Sequence, residues 1–112
     1  MSIKETIQND VAIITVSGKL MGGNETKEVH EKVKSILADG IKKIVVDLSK
    51  VKWLNSSGLG MLISCLTSTT SAEGQLKIAG ATDKVKSLFM ITKLITVFDS
   101  YETVGRAKAT FK

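Results

Sequence analysis

The sequence predicts an α/β fold: a small mixed, mainly parallel sheet of four to five strands with about four helices. Three observations predict it. Short runs rich in Val and Ile alternate with helix-length stretches whose apolar residues recur every three or four positions. The run Ile44-Val45-Val46 is apolar without alternation, as in a strand covered on both faces. The 112 residues contain no proline, linker, repeat or low-complexity tract, so a single domain over residues 1–112 accounts for the chain.

The opening segment SIKETIQ alternates, with Ile3, Glu5 and Ile7 on one side, and Asn9-Asp10 turns it into VAIITVSG, which is apolar on both faces. That pair reads as an edge strand hairpinned to a buried one. Gly18 is expected to end the second strand. Asn24 suits the N-cap of a helix that carries Val29, Val33, Ile36 and Leu37 inward, pairs Glu28 with Lys32 on its wet side, and stops at Asp39-Gly40. IKKIVVDLS is the third strand. A second helix starts near Ser56 or Ser57, gathers Leu59, Leu62, Ile63 and Leu66 on one face and runs to Glu73, where Gly74 is expected to take the left-handed C′ position. QLKIAG is the fourth strand, and residues 82–92 form a helix with Val85, Leu88 and Phe89 inward. ITVFD gives a last strand and SYETVGRAKATF a final helix with Tyr101, Val104 and Phe111 on its apolar side. The order β-β-α-β-α-β-α-β-α implies right-handed crossovers between parallel strands, with the first strand antiparallel at one edge.

Composition excludes several function classes. The formal charge of +5 comes from sixteen basic residues, all lysine but Arg106, scattered along the chain. Without arginine forks or clustered aromatics this reads as a solvated lysine surface and not as a nucleic-acid interface. No apolar run is long enough to span a membrane and the N-terminus has no secretory h-region, so no membrane partner is expected and the cytoplasm is the expected location. The single cysteine, Cys65, reads as a small buried hydrophobe. One Cys and one His cannot supply a metal-ligand set, and no G-x-G-x-x-G is present, so no metal and no cofactor is expected.

The chemistry concentrates in LNSSGLG, residues 54–60. Two glycines stand in the first turn of a helix, where each costs roughly 1 kcal/mol relative to alanine. Either they let the helix lie close on the sheet behind an Asn55, Ser56 or Ser57 cap, or the absent side chain of Gly58 leaves a serine hydroxyl open to an approaching enzyme. A phosphate on such a hydroxyl would sit where free N–H groups and the helix dipole favour negative charge. The fold would survive while a partner that had buried a neutral serine faced a dianion. Asp47 and Ser49 read either as turn residues that satisfy local backbone groups or as groups that help position a partner or nucleotide.

VVDLSKVKWLNSSGLGMLI resembles the signature of the STAS domain, specifically of the single-domain anti-sigma-factor antagonists: a strand ending in D-L-S, a short connection, then [DN]-S-[ST]-G-L-G opening a helix. SGKL resembles that family's G-x-L turn, and the order of elements matches along nearly the whole chain. The resemblance implies phosphorylation of Ser57 by a partner that is both serine kinase and anti-sigma factor. It further implies release of that partner by the phosphoform, and restoration by a serine phosphatase. It places partner contacts at Asn55, Ser56, Ser57 and Gly58, with Met21, Gly22 and Gly23 of the preceding loop adding to the surface. Asn55 and Met21 stand where many members carry acids, which removes like-charge repulsion around a phosphate on Ser57.

An enzyme is not expected. His30, the one histidine, reads as solvated in mid-helix, and NSSGLG lacks the spacing of a nucleophile elbow. The alternative is a STAS docking subunit of a transporter or signalling assembly, with Ser57 as a cap and no phosphate cycle.

Overall fold

Alternation in the first twenty residues produces a hairpin of β1 (Ser2–Gln8) and β2 (Val11–Leu20), with Asn9 in the left-handed region (φ 59°) that Asn tolerates in tight turns. The computed structural model describes residues 2–91 and 99–111. Beyond the hairpin come α1 (Gly23–Ala38), β3 (Lys43–Leu54), α2 (Ser56–Ser71), β4 (Gln75–Ala79), α3 (Asp83–Ile91), β5 (Asp99–Tyr101) and α4 (Val104–Ala109). The sheet order is β1-β2-β3-β4-β5, antiparallel only between β1 and β2. The expected architecture and order are therefore present.

The two apolar faces of β2 serve two cores. Ala12, Ile14 and Val16 pack with Val29, Val33 and Ile36 of α1, with Leu59, Leu62 and Cys65 of α2, and with Val85 and Phe89 of α3. Val11 and Ile13 point the other way, with Val45 and Ala79, against Ala107 of α4 and the half-buried Tyr101, Val104 and Phe111. On that thinner side Lys77 is buried. Its ammonium donates to Thr110 Oγ1 and lies over the rings of Tyr101 and Phe111, 5.3 and 4.6 Å from their centroids.

Several local expectations change. Gly18 does not end β2; with φ 101° it sits between two register shifts, at each of which β3 carries one residue more than β2, and the strand continues to Leu20. Asn24 lies inside α1, whose N-cap is Gly22 (φ 95°), because Thr26 Oγ1 accepts the Gly22 N–H (2.8 Å) and donates to its carbonyl (3.1 Å). Lys32 pairs with Glu5 of β1 (3.3 Å), tying α1 to the edge strand in place of the expected pair with Glu28. After α2 it is Glu73 that turns left-handed (φ 64°). Gly74 is bare for a different reason, since a Cβ there would stand 2.6 Å from the Lys42 carbonyl. The expected strand ITVFD, residues 95–99, lies outside the described residues except for Asp99. Asp99 opens β5 as a strand residue, whereas Ser100 and Tyr101, assigned by sequence to the last helix, complete that strand, and α4 begins only at Val104 behind the Thr103 cap.

Cys65 is fully buried, as expected, and burial raises its thiol pKa from 9.0 to about 12. Because the unfolded thiol ionises first, the stability this residue supports is complete below about pH 8.5 and declines as pH climbs toward the folded value. Iodoacetamide at pH 8 should leave Cys65 unlabelled in the native protein and label it once guanidinium unfolds the chain, as read by intact mass. Stoichiometric labelling of the native state would contradict this burial.

Candidate functional site

The third strand does not stop at D-L-S. It continues to Leu54 because Val51 and Leu54 keep apolar side chains in the core, and this overhang carries the chain to the takeoff of α2. Asp47 terminates nothing; its Oδ1 accepts the Ser49 N–H (2.9 Å), the local satisfaction that its sequence position suggests. Ser49 itself is exposed.

Asn55 is the N-cap of α2, and its carboxamide uses both ends. Oδ1 accepts the Gly58 N–H (3.0 Å), while Nδ2 donates to the carbonyl of Met21 (2.9 Å). The Asn55 N–H donates to the Leu20 carbonyl (3.1 Å), and the Asn55 carbonyl accepts from Leu59 (2.9 Å). One residue thus joins the end of β2, the loop at residues 21–23 and the first turn of α2. An aspartate could keep the bond to Gly58 but could not donate to Met21.

With the cap filled by Asn55, both serines are relieved of that duty. Ser56 and Ser57 are exposed, and among the described residues neither hydroxyl is hydrogen-bonded within the chain. Ser57 stands against Gly22, where an added Cβ would come within 3.1 Å of the serine Cβ. It opens on a shallow depression of about 300 Å³ between the first turns of α1 and α2, whose walls include Gly23, Lys27, His30 and Met61.

Gly58 does not do what an access reading would ask of it. It is buried, and a Cβ built there would lie 2.3 Å from the Leu20 carbonyl and 3.0 to 3.1 Å from Leu20 and Leu54 Cβ. It is bare so that α2 can press on the end of the sheet, and an added Cβ would point into the sheet and not toward an approaching partner. Gly60 is exposed, and a Cβ there would meet nothing within 4 Å, so no spatial need explains it.

Of the residues singled out from sequence, Asn55, Ser56, Ser57, Met21, Gly22 and Gly23 are brought together at one end of the sheet, with Met21 48% exposed. Three neighbours escape the sequence reading. Trp53, 39% exposed, opposes Lys19 on β2 just before the cap, and the apolar residues of KVKWL are the signal that the strand runs on. Lys27 and His30 border the Ser57 depression. His30 is not solvated as expected: it is half-buried, with Nε2 3.0 Å from Ser68 Oγ on α2. Among the described residues no cluster of three or more metal-ligating side chains occurs, and no helix is long and apolar enough to cross a membrane.

Two substitution pairs probe this geometry. Gly58→Ala should lower unfolding free energy by about 2 to 4 kcal/mol, because backbone and not a pliable side chain blocks the methyl. Gly60→Ala should raise it by about 0.5 to 1 kcal/mol. Urea denaturation read by circular dichroism decides both, and equal effects would refute the packing account. Asn55→Asp should leave global stability within about 1 kcal/mol while speeding amide exchange at Gly22 and Gly23, whereas Asn55→Ala should lose about 1 to 2 kcal/mol as well. Unchanged exchange in Asn55→Asp would show that the Met21 bond does not hold the loop.

Comparison with known proteins agrees with this geometry. The family model for the STAS domain matches residues 2–107. The anti-sigma-B factor antagonist of Staphylococcus aureus is 30% identical over 94 residues, covering 84% of this chain and 86% of that protein. Among solved structures, the Thermotoga maritima protein TM1081 superimposes with a TM-score of 0.86 at 25% identity over 96% of this chain and 92% of its own. The Bacillus cell fate determinant SpoIIAA in its phosphorylated form gives 0.74 at 14% identity over 96% and 97%, a likeness of fold. A match of this extent, on a chain whose sheet order and helix takeoff are those just described, makes the protein a member of the STAS domain family.

Proposed function

We propose that this protein is an anti-sigma-factor antagonist whose binding is switched by phosphorylation of Ser57. The observation that carries the reading is the division of labour at the start of α2. Asn55 caps the helix, which leaves Ser57 exposed and its hydroxyl without a bond among the described residues. A modifying enzyme can reach it, and modification breaks nothing that holds the fold. The relationship to the Staphylococcus aureus antagonist supports the same reading.

The unmodified protein docks an anti-sigma factor with serine kinase activity through Ser56, Ser57, Asn55 and the loop of Met21, Gly22 and Gly23, with Trp53 beside them. Transfer of the γ-phosphoryl group of ATP to Ser57 Oγ releases the serine proton and ADP and leaves a group of charge about −1.5 to −2 on the surface. The first turn of α2 carries no acidic residue, so the helix dipole and its N–H groups favour that charge. The partner must then desolvate a dianion where it had buried a hydroxyl, at a cost of several kcal/mol, and each 1.4 kcal/mol is about tenfold in affinity. A serine phosphatase hydrolyses the ester and restores the binding form. The domain itself works by docking and catalyses none of these steps, and the cytoplasm, where sigma factors and ATP meet, is its place of action.

Incubation with ATP and the cognate kinase should add one phosphate, located at Ser57 by peptide mass spectrometry. Ser57→Ala should abolish it while changing stability by less than about 1 kcal/mol, since the residue is not the cap. Ser57→Asp should weaken partner binding at least about tenfold with a nearly constant melting temperature. Phosphate on Ser56 alone, or none with a partner that binds, would favour a docking module without a phosphate cycle.

A further inference from the structure

We propose that the groove between the unpaired edge of β3 and the start of α3 binds an extended acidic segment of a protein partner. β3 has 12 residues and β4 only 5, and their ladder ends at Asp47 opposite Ala79. Residues 48–54, spanning about 20 Å at the usual strand rise, keep β2 on one side and, among the described residues, have no strand on the other. Gly80 turns the chain away: its φ is 71°, a Cβ there would strike Ser49 Cβ at 2.9 Å, and its N–H goes to the Tyr101 carbonyl (3.0 Å). What remains beside the edge is a groove of about 630 Å³ bounded by residues 49–52 and 82–84.

Charge and backbone together select the occupant. Lys50, Lys52 and Lys84 are exposed along the groove, with Asp83 its single acid. A second copy pairing through the same edge would set lysine against lysine, the device by which native sheets protect open edges, and the two register shifts against β2 twist this one further out of plane. An extended segment with alternating carboxylates meets none of that repulsion. Its backbone pairs with groups of the β3 overhang other than the Ser49 N–H, which Asp47 Oδ1 already accepts, and its acids face the three lysines. A single-stranded nucleic acid fits less well, because the lining holds no aromatic ring for stacking and no arginine. The groove shares no lining residue with the Ser57 depression.

The test is an amide-resolved titration of the unmodified full chain with a short acetylated, amidated peptide in which Glu and Val alternate. Expected are shift changes at residues 49–53 and 82–84, slowed amide exchange along the β3 overhang, and the same response in Ser57→Ala. The triple charge reversal Lys50→Glu, Lys52→Glu, Lys84→Glu should weaken binding by at least about tenfold. A peptide with Gln in place of Glu should not bind. Equal binding of the Gln peptide, or silence of the β3 amides at millimolar acidic peptide, would overturn the proposal. It would equally fall if a thymidine oligonucleotide reproduced the shifts while the peptide did not, or if the overhang amides shifted with protein concentration alone, which would point to a second copy.

Discussion

The carbonyl of Leu20 is where the structure is most constrained. Leu20 and Leu54 are opposed in the parallel ladder and fully buried, and both reach the underside of Gly58. The same carbonyl accepts the N–H of Asn55. The first turn of α2 therefore rests directly on the end of the sheet, at a separation only a residue without Cβ allows. Lifting that turn would carry Asn55 with it, and with Asn55 both carboxamide bonds. The loop at residues 21–23 would lose its tether to the helix, and Ser57 its position against Gly22. The geometry of the candidate site is thus a packing result before it is a chemical one.

Because packing fixes the turn from below, its outer surface is available for recognition. Adjacent residues divide the work: Ser56 and Ser57 face solvent, Gly58 and Leu59 face the core. No acid occupies the first turn of α2, and Asn55 supplies its capping oxygen without a charge. A phosphate on Ser57 would be the first negative charge in that turn, near Lys27 on the rim of the depression. The turn can accept such a charge without giving up an existing bond. The asparagine also contributes what an acid could not, a donor to the Met21 carbonyl, so the neutral cap and the held loop arise from one side chain.

Most of this is legible in the sequence. The order of elements follows from periodicity, and Asn55 is among three candidate caps. Glycine is what misleads. Gly18 reads as a strand end and is a left-handed residue inside a strand that runs on, Gly74 reads as a left-handed cap and is a close approach to the Lys42 carbonyl, and Gly58 offers two readings, of which the packing one matches its contacts. A missing side chain marks a constraint without saying whether that constraint is torsional or spatial, because the interfering atom comes from a distant part of the chain: Leu20 for Gly58, Lys42 for Gly74. His30 is misjudged for a related reason. Its partner, Ser68, lies 38 residues away on the neighbouring helix, where no local pattern reports it.

The length of β3 connects these features. Residues 43–47 lie between β2 and β4 at the centre of the sheet, where Ile44, Val45 and Val46 are buried on both faces. Had the strand stopped there, α2 would begin at the level of Ala79 and could not reach the end of β2. The extra residues carry the takeoff out to Leu20, held down by Val51 and Leu54, and they necessarily outrun β4. An open edge is therefore the structural consequence of placing Ser57 beside the β2–α1 loop. Lys50 and Lys52 stand exposed along that edge, the kind of side chain with which native sheets guard an open strand. The same two residues give the edge a positive sign, so the surface left over from carrying the chain to the takeoff of α2 is both open and basic.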